Sequence, residues 1–200
     1  MPNPSWLQPL VWTDYRLAIV FTVLFPLVLS IWAFVSKAEA IQKLLIIYWR
    51  VSSLLAITVY LLIAAMPLGF ISGWLARILI PISLWFWVDL NEEISEQSPS
   101  PLKLTFTSWR WAVSIYCFLG VLAQLPVLSC AFVGHSDLLK TPLCNVWLQA
   151  PWLFRELFHA TTKPWFLGGV GLVGLAIYVI YLTYFVLVRL GKQGRSATGQ

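Results

Sequence analysis

Apolar residues gather in five long runs, Leu17 to Val35, Val51 to Pro67, Phe70 to Val88, Ala112 to Val133 and Trp165 to Val188, and the stretches between them hold most of the charge. At a rise of about 1.5 Å per residue, such runs suit helices that cross a hydrocarbon core of about 30 Å. In lipid every backbone amide must be paired within its own segment, so a helix is the structure this pattern specifies. The expected fold class is an all-α membrane protein, a bundle of about five transmembrane helices. Residues 1–190 read as a single polytopic domain, and the polar, Gly-rich 191–200 as a flexible cytoplasmic tail. The second and third runs are separated only by Leu68 and Gly69 after Pro67, which predicts a tight helical hairpin.

Composition strengthens this reading. Hydrophobic residues make up 60% of the chain and charged residues 10%, against about 25% charged in soluble domains. Mean hydropathy is +0.81. The main partner these numbers imply is the lipid bilayer. The net charge of +5 matters through its placement. Lys37, Lys43, Arg50, Lys103, Arg110, Arg189, Lys192 and Arg195 fall on one side of the predicted spans, while Arg16, Lys140, Arg155 and Lys163 fall on the other. The richer side is expected to face the cytoplasm. Trp49, Trp85, Trp87, Trp109, Trp111 and Trp165 lie near span ends, where amphipathic rings favour the interface.

The N-terminal MPNPSWLQPLVWTDYR has no basic region ahead of its apolar run, and is read as retained. In the long outer loop, PWLFRELFHATTKPW predicts a short amphipathic helix starting at Pro151, a good first helical residue. It would lie flat on the membrane or pack as a loop over the bundle; the pattern leaves both open.

Arg77 is the chief anomaly. An arginine near a span centre costs roughly 2.5–3.5 kcal/mol on insertion scales and normally faces protein or water with a partner. Tyr60 and Gln124 come at a similar depth in the second and fourth runs, so the three could form an intramembrane polar layer. Pro81 removes the amide that would bond the Arg77 carbonyl. Such a layer could take an anionic group or a polar head, or could simply fasten helices together.

Other candidates carry less chemistry. Asp89, Glu92, Glu93 and Glu96 share a helix face at the cytoplasmic end, but no histidine accompanies them and no metal is expected. Cys130 and Cys144 fall at the outer end of the fourth span, where a disulfide could persist. Cys117 lies about 20 Å along a helix from Cys130, beyond the roughly 7 Å that a bridge tolerates. Gly168, Gly171 and Gly174 form a small-residue stripe for helix packing or a flat ligand such as a pigment or quinone. His135 and His159 are isolated in the outer loop. No GxSxG, HExxH, CxxC, GxGxxG or Walker-type loop occurs, which weighs against an enzyme, and the scattered Lys and Arg give no nucleic-acid footprint. No cofactor is assigned.

The stretches LVWTDYRLAIVFTVLFPLVLSIWAF, WFWVDLNEEI and PLKLTFTSWRWAVSIY resemble a family of small, functionally uncharacterised membrane proteins of cyanobacteria and related plastids. The resemblance covers most of the chain and brings no catalytic motif. It implies a thylakoid or plasma membrane and a role beside photosynthetic complexes. The expectation is therefore an accessory or assembly protein with a membrane-protein partner or a second copy of itself. The alternative is a small transporter or channel using the layer around Arg77.

Overall fold

A computed structural model describes residues 6–197, so residues 1–5 and the last part of the expected tail, 198–200, lie outside the described residues. Five helices are long and apolar enough to cross a membrane: α1 (Leu7–Val35), α2 (Glu39–Ile63), α3 (Leu68–Trp85), α5 (Pro101–Phe132) and α8 (Pro164–Lys192). The chain is a multi-pass, all-helical membrane protein. Shorter helices connect them, namely α4 (Val88–Glu96), α6 (His135–Leu138) and α7 (Pro142–Phe158).

Three of the helices begin well outside the apolar runs. α1 starts at Leu7 instead of Leu17, α2 takes in Lys43 and Arg50, and α5 takes in Lys103 and Arg110. The apolar run marks where acyl chains would touch, but amides nearer the interface still need partners and so stay helical. Helix ends show the usual chemistry. Ser100 accepts from Lys103 N at 3.2 Å ahead of Pro101 at the start of α5. The Lys103 Nζ donates to Ser95 O and Gln97 O, capping the end of α4.

Prolines inside the helices shape the bundle. Pro26 cannot donate to the Thr22 carbonyl, and α1 widens into a π-turn over Val20–Leu24. The freed Thr22 O accepts from the buried Tyr48 hydroxyl of α2 at 2.7 Å, and the neighbouring Phe21 O accepts from Trp109 Nε1 of α5 at 2.8 Å. Pro151 likewise frees Trp147 O, which accepts from the Tyr15 hydroxyl of α1 at 2.9 Å. α5 tightens to a 3-10 helix over Leu125–Phe132, and Val121 O then accepts from Trp74 Nε1 of α3 at 3.2 Å. Each of these released acceptors is met by an aromatic donor from another helix, which fixes neighbours without charge.

Two turns close with non-glycine residues at positive φ, Lys37 (52°) between α1 and α2 and Ala65 (51°) between α2 and α3. At the second, Met66 N donates to Leu61 O and Ala65 N to Leu62 O, the paired bonds of a Schellman ending.

In the bundle α2 packs on both α3 and α8, and α3 packs on α5. α1 approaches α2 closely along its second half, Phe25–Val35, and meets α7 at the opposite end. The outer-loop helix differs from expectation at its start. It begins at Pro142, and Pro151 sits inside it, where its missing amide is answered by Tyr15 as above. Cys144, Val146, Trp147 and Leu148 are buried over the bundle, while Trp152, Leu153, Leu157 and Phe158 are exposed. One half therefore packs as a lid and the other presents an apolar face. Cys130 and Cys144 are joined by a disulfide that ties the end of α5 to the first turn of α7.

Candidate functional site

Because α1 begins at Leu7, Asp14 comes to lie inside the bundle opposite Arg77. Arg77 Nη2 and Asp14 Oδ2 form an ion pair whose side chains are 8% and 20% exposed. The Tyr116 hydroxyl donates to Asp14, with Oδ1 at 2.9 Å and the Asp14 O at 3.0 Å, and the Tyr116 ring lies 5.2 Å from the Arg77 guanidinium. Gly120 makes room for the guanidinium, since a Cβ there would stand 1.8 Å from Arg77 Nη1. The arginine thus has a full counter-charge from a residue that the apolar runs placed outside the first span.

Tyr60 and Gln124 take different roles from each other. The Tyr60 hydroxyl and His159 Nε2 are hydrogen-bonded at 3.1 Å, which pins the end of α7 to α2. Gln124 Oε1 is buried, and it has no hydrogen-bond partner among the described residues; the same is true of Arg77 Nη1. Gly120 and Gln124 are one turn apart on the same face of α5, so these two unanswered atoms belong to one neighbourhood. Arg77, Gln124 and Tyr60 all line one cavity of about 950 Å³.

That cavity is the gap left where α1 and α2 diverge. Its floor is α3 at Gly69, Gly73 and Arg77, and α7 covers one end with Trp147, Phe154 and Phe158. Ile19 and Val23 on one lip and Ser53 and Ala56 on the other are exposed, so it opens sideways, toward where acyl chains would lie. Several hydroxyls on its walls are satisfied internally. Thr22 donates to Ala18 O, and Thr58 pairs with Leu54 O and Ser72. The unanswered buried atoms on its lining residues are two donors, Arg77 Nη1 and Trp147 Nε1, and one acceptor, Gln124 Oε1, and the exposed Arg16 also stands on the wall.

The profile of a family of proteins of unknown function, DUF3177, matches residues 8–198 of the chain. The chain belongs to the DUF3177 family. No curated protein and no solved structure matches it. The DUF3177 match takes in both members of the Asp14–Arg77 pair and every residue that lines the cavity.

The other candidates fall outside this site. Gly168, Gly171 and Gly174 face α2, where a Cβ on Gly168 would stand 2.4 Å from Ala64 Cβ, so the stripe is filled by a helix and has no room for a flat ligand. On α4, Glu92, Glu93 and Glu96 are exposed, and Asp89 accepts from the backbone N–H of Ala197 at 2.9 Å and from the Ser196 hydroxyl at 3.2 Å. That contact docks residues 196–197 of the expected tail. His135 Nδ1 lies 3.1 Å from Ala65 O, at the α2–α3 turn. No group of His, Cys, Asp and Glu among the described residues could hold a metal ion. Sequence reasoning missed two residues. Asp14 was obscured by counting spans from apolar residues alone, although it is the one acid among the eight that falls within an apolar helix-length stretch ahead of Lys37. Arg110 was counted with the loops, yet it is 4% exposed, stacks 4.0 Å from Trp85 and donates to Asn91 Oδ1 at 2.6 Å.

Proposed function

We propose that the chain is an accessory protein of a larger membrane complex that keeps a neutral amphiphile from the bilayer in the cavity between α1 and α2. The observation that carries this is the pairing, in one apolar chamber, of a buried donor on Arg77 and a buried acceptor on Gln124 that nothing else in the described chain answers. Leaving such atoms unpaired costs about 1–3 kcal/mol each, and a hydroxyl head, which both accepts and donates, on an apolar body would remove both penalties. Asp14 already neutralises Arg77, and Arg16, the other cation on the wall, is exposed at the surface, so an uncharged head suits the inner end of the site beside Arg77 better than an anion, and this favours retention of a ligand over anion transport. The absence of catalytic motifs supports an accessory role, and the resemblance drawn from the sequence would place it in a thylakoid or plasma membrane, beside a photosynthetic complex.

The test is solvent extraction of protein purified in mild detergent, followed by mass spectrometry, on the wild type and on Ala56→Trp, which blocks the mouth from an exposed position. A stoichiometric neutral amphiphile in the wild type that is lost from the variant is expected. Equal recovery from both, or none from either, refutes the reading. Co-purification of a partner complex from gently solubilised membranes tests the accessory role separately.

A further inference from the structure

A second cleft lies at the opposite end of the bundle from the disulfide, between α2, α3 and α8, with a volume of about 360 Å³. Its polar character is one-sided. Lys43 and Arg50 stand on the α2 wall, two helical turns and about 10 Å apart along the axis. Arg189 of α8 also lines the cleft but is engaged in a contact of its own. At the base is Trp87, which is 6% exposed and whose indole N–H has no acceptor among the described residues. No carboxylate is among the described residues that line the cleft. Glu39 comes within 3.9 Å of Lys43 only as an exposed i,i+4 pair, which does little to cancel the charge. Asp89, next to this region in sequence, is turned to Ala197 N and Ser196. The rest of the wall is almost wholly apolar, apart from Tyr178, whose hydroxyl donates to Val51 O at 3.3 Å, Ser83, whose hydroxyl donates to Ile80 O at 2.7 Å, and Tyr181.

We infer that this cleft binds an anionic phospholipid, with its phosphate between Lys43 and Arg50, a head-group or ester oxygen accepting from Trp87, and an acyl chain along the apolar wall between α2 and α8. Among the described lining residues Lys43 and Arg50 bring positive charge and Trp87 an unanswered donor, so the head must supply acceptors and negative charge. The apolar wall gives the tail what a free anion could not use. The placement is consistent as well. This end carries the basic residues that are expected to face the cytoplasm, and basic pockets between spans on that side recognise anionic head groups. The site is independent of the cavity between α1 and α2, and calls for the opposite kind of head.

The test is native mass spectrometry of the full chain after delipidation and incubation with phosphatidylglycerol or phosphatidylcholine. The variants are Lys43→Gln with Arg50→Gln, the charge-preserving Lys43→Arg, and Trp87→Phe. Lys43 and Arg50 are exposed, so their neutralisation leaves packing intact, and circular dichroism with a thermal melt confirms it. The expected result is at least tenfold preference for phosphatidylglycerol in the wild type, loss of that preference in the double variant, retention in Lys43→Arg, and a few-fold loss in Trp87→Phe. A double variant that keeps phosphatidylglycerol as the wild type does, or phosphatidylcholine binding equally well, overturns the proposal. Displacement of phosphatidylglycerol by 10 mM inorganic phosphate overturns the lipid as the source of the anion.

Discussion

A guanidinium among apolar helices persists while a carboxylate answers it, and removing one partner of such a pair leaves an uncompensated charge. Asp14→Asn keeps the size of the side chain and removes its charge, and is expected to cost about 3–5 kcal/mol, read as a lower melting temperature in mild detergent. Adding Arg77→Met to it should return part of the loss, because the orphaned charge goes with the arginine. An unchanged melting temperature for Asp14→Asn would show that the pair does not bear on stability. At this scale the sequence was half readable. Arg77 announced itself, since an arginine deep in an apolar run has few explanations. Asp14 did not, because hydropathy draws the span from residues that contact lipid, whereas the helix that carries Asp14 is set by the need to pair amides and by α7 lying over its first turns.

The helices were legible as elements, and their edges were not. Apolar length specified five spans, but the starts of α1 and α5 extend through Trp, Thr, Ser and basic residues, which tolerate the interface. Pro151 misled for a related reason: proline suits the first turn of a helix, yet it also sits in an interior when a neighbour bonds the carbonyl it frees, as Tyr15 does for Trp147. The same device at Pro26 gives a prediction. Tyr48→Phe should cost about 1–3 kcal/mol by leaving Thr22 O unanswered in a buried site. In a Pro26→Ala background, where the helix can bond that carbonyl itself, the penalty measured by thermal melts should shrink; an equal penalty in both backgrounds would contradict the mechanism. The α2–α3 turn offers a gain. Ala65 holds a left-handed conformation that glycine adopts without the Cβ penalty, so Ala65→Gly should stabilise by about 1 kcal/mol.

Across the whole molecule the disulfide end and the basic end do different work. The Cys130–Cys144 bridge, α7 and the Tyr60–His159 contact close one end over the cavity. Alkylation after unfolding is expected to label one thiol, Cys117, without reductant and three with it; three without reductant would mean that no bridge forms. The gap between α1 and α2 could not be read from the sequence, because it arises where two helices fail to meet, and spacing within one segment carries no record of that.

The most direct measurement is a density map of the protein reconstituted in lipid nanodiscs, inspected between α1 and α2 beside Arg77 and Gln124. An elongated non-protein feature with its head within hydrogen-bond reach of both side chains is the predicted result. A chamber closed by direct contact of α1 with α2, or one in which Gln124 bonds Arg77 itself and no ligand is seen, would contradict it.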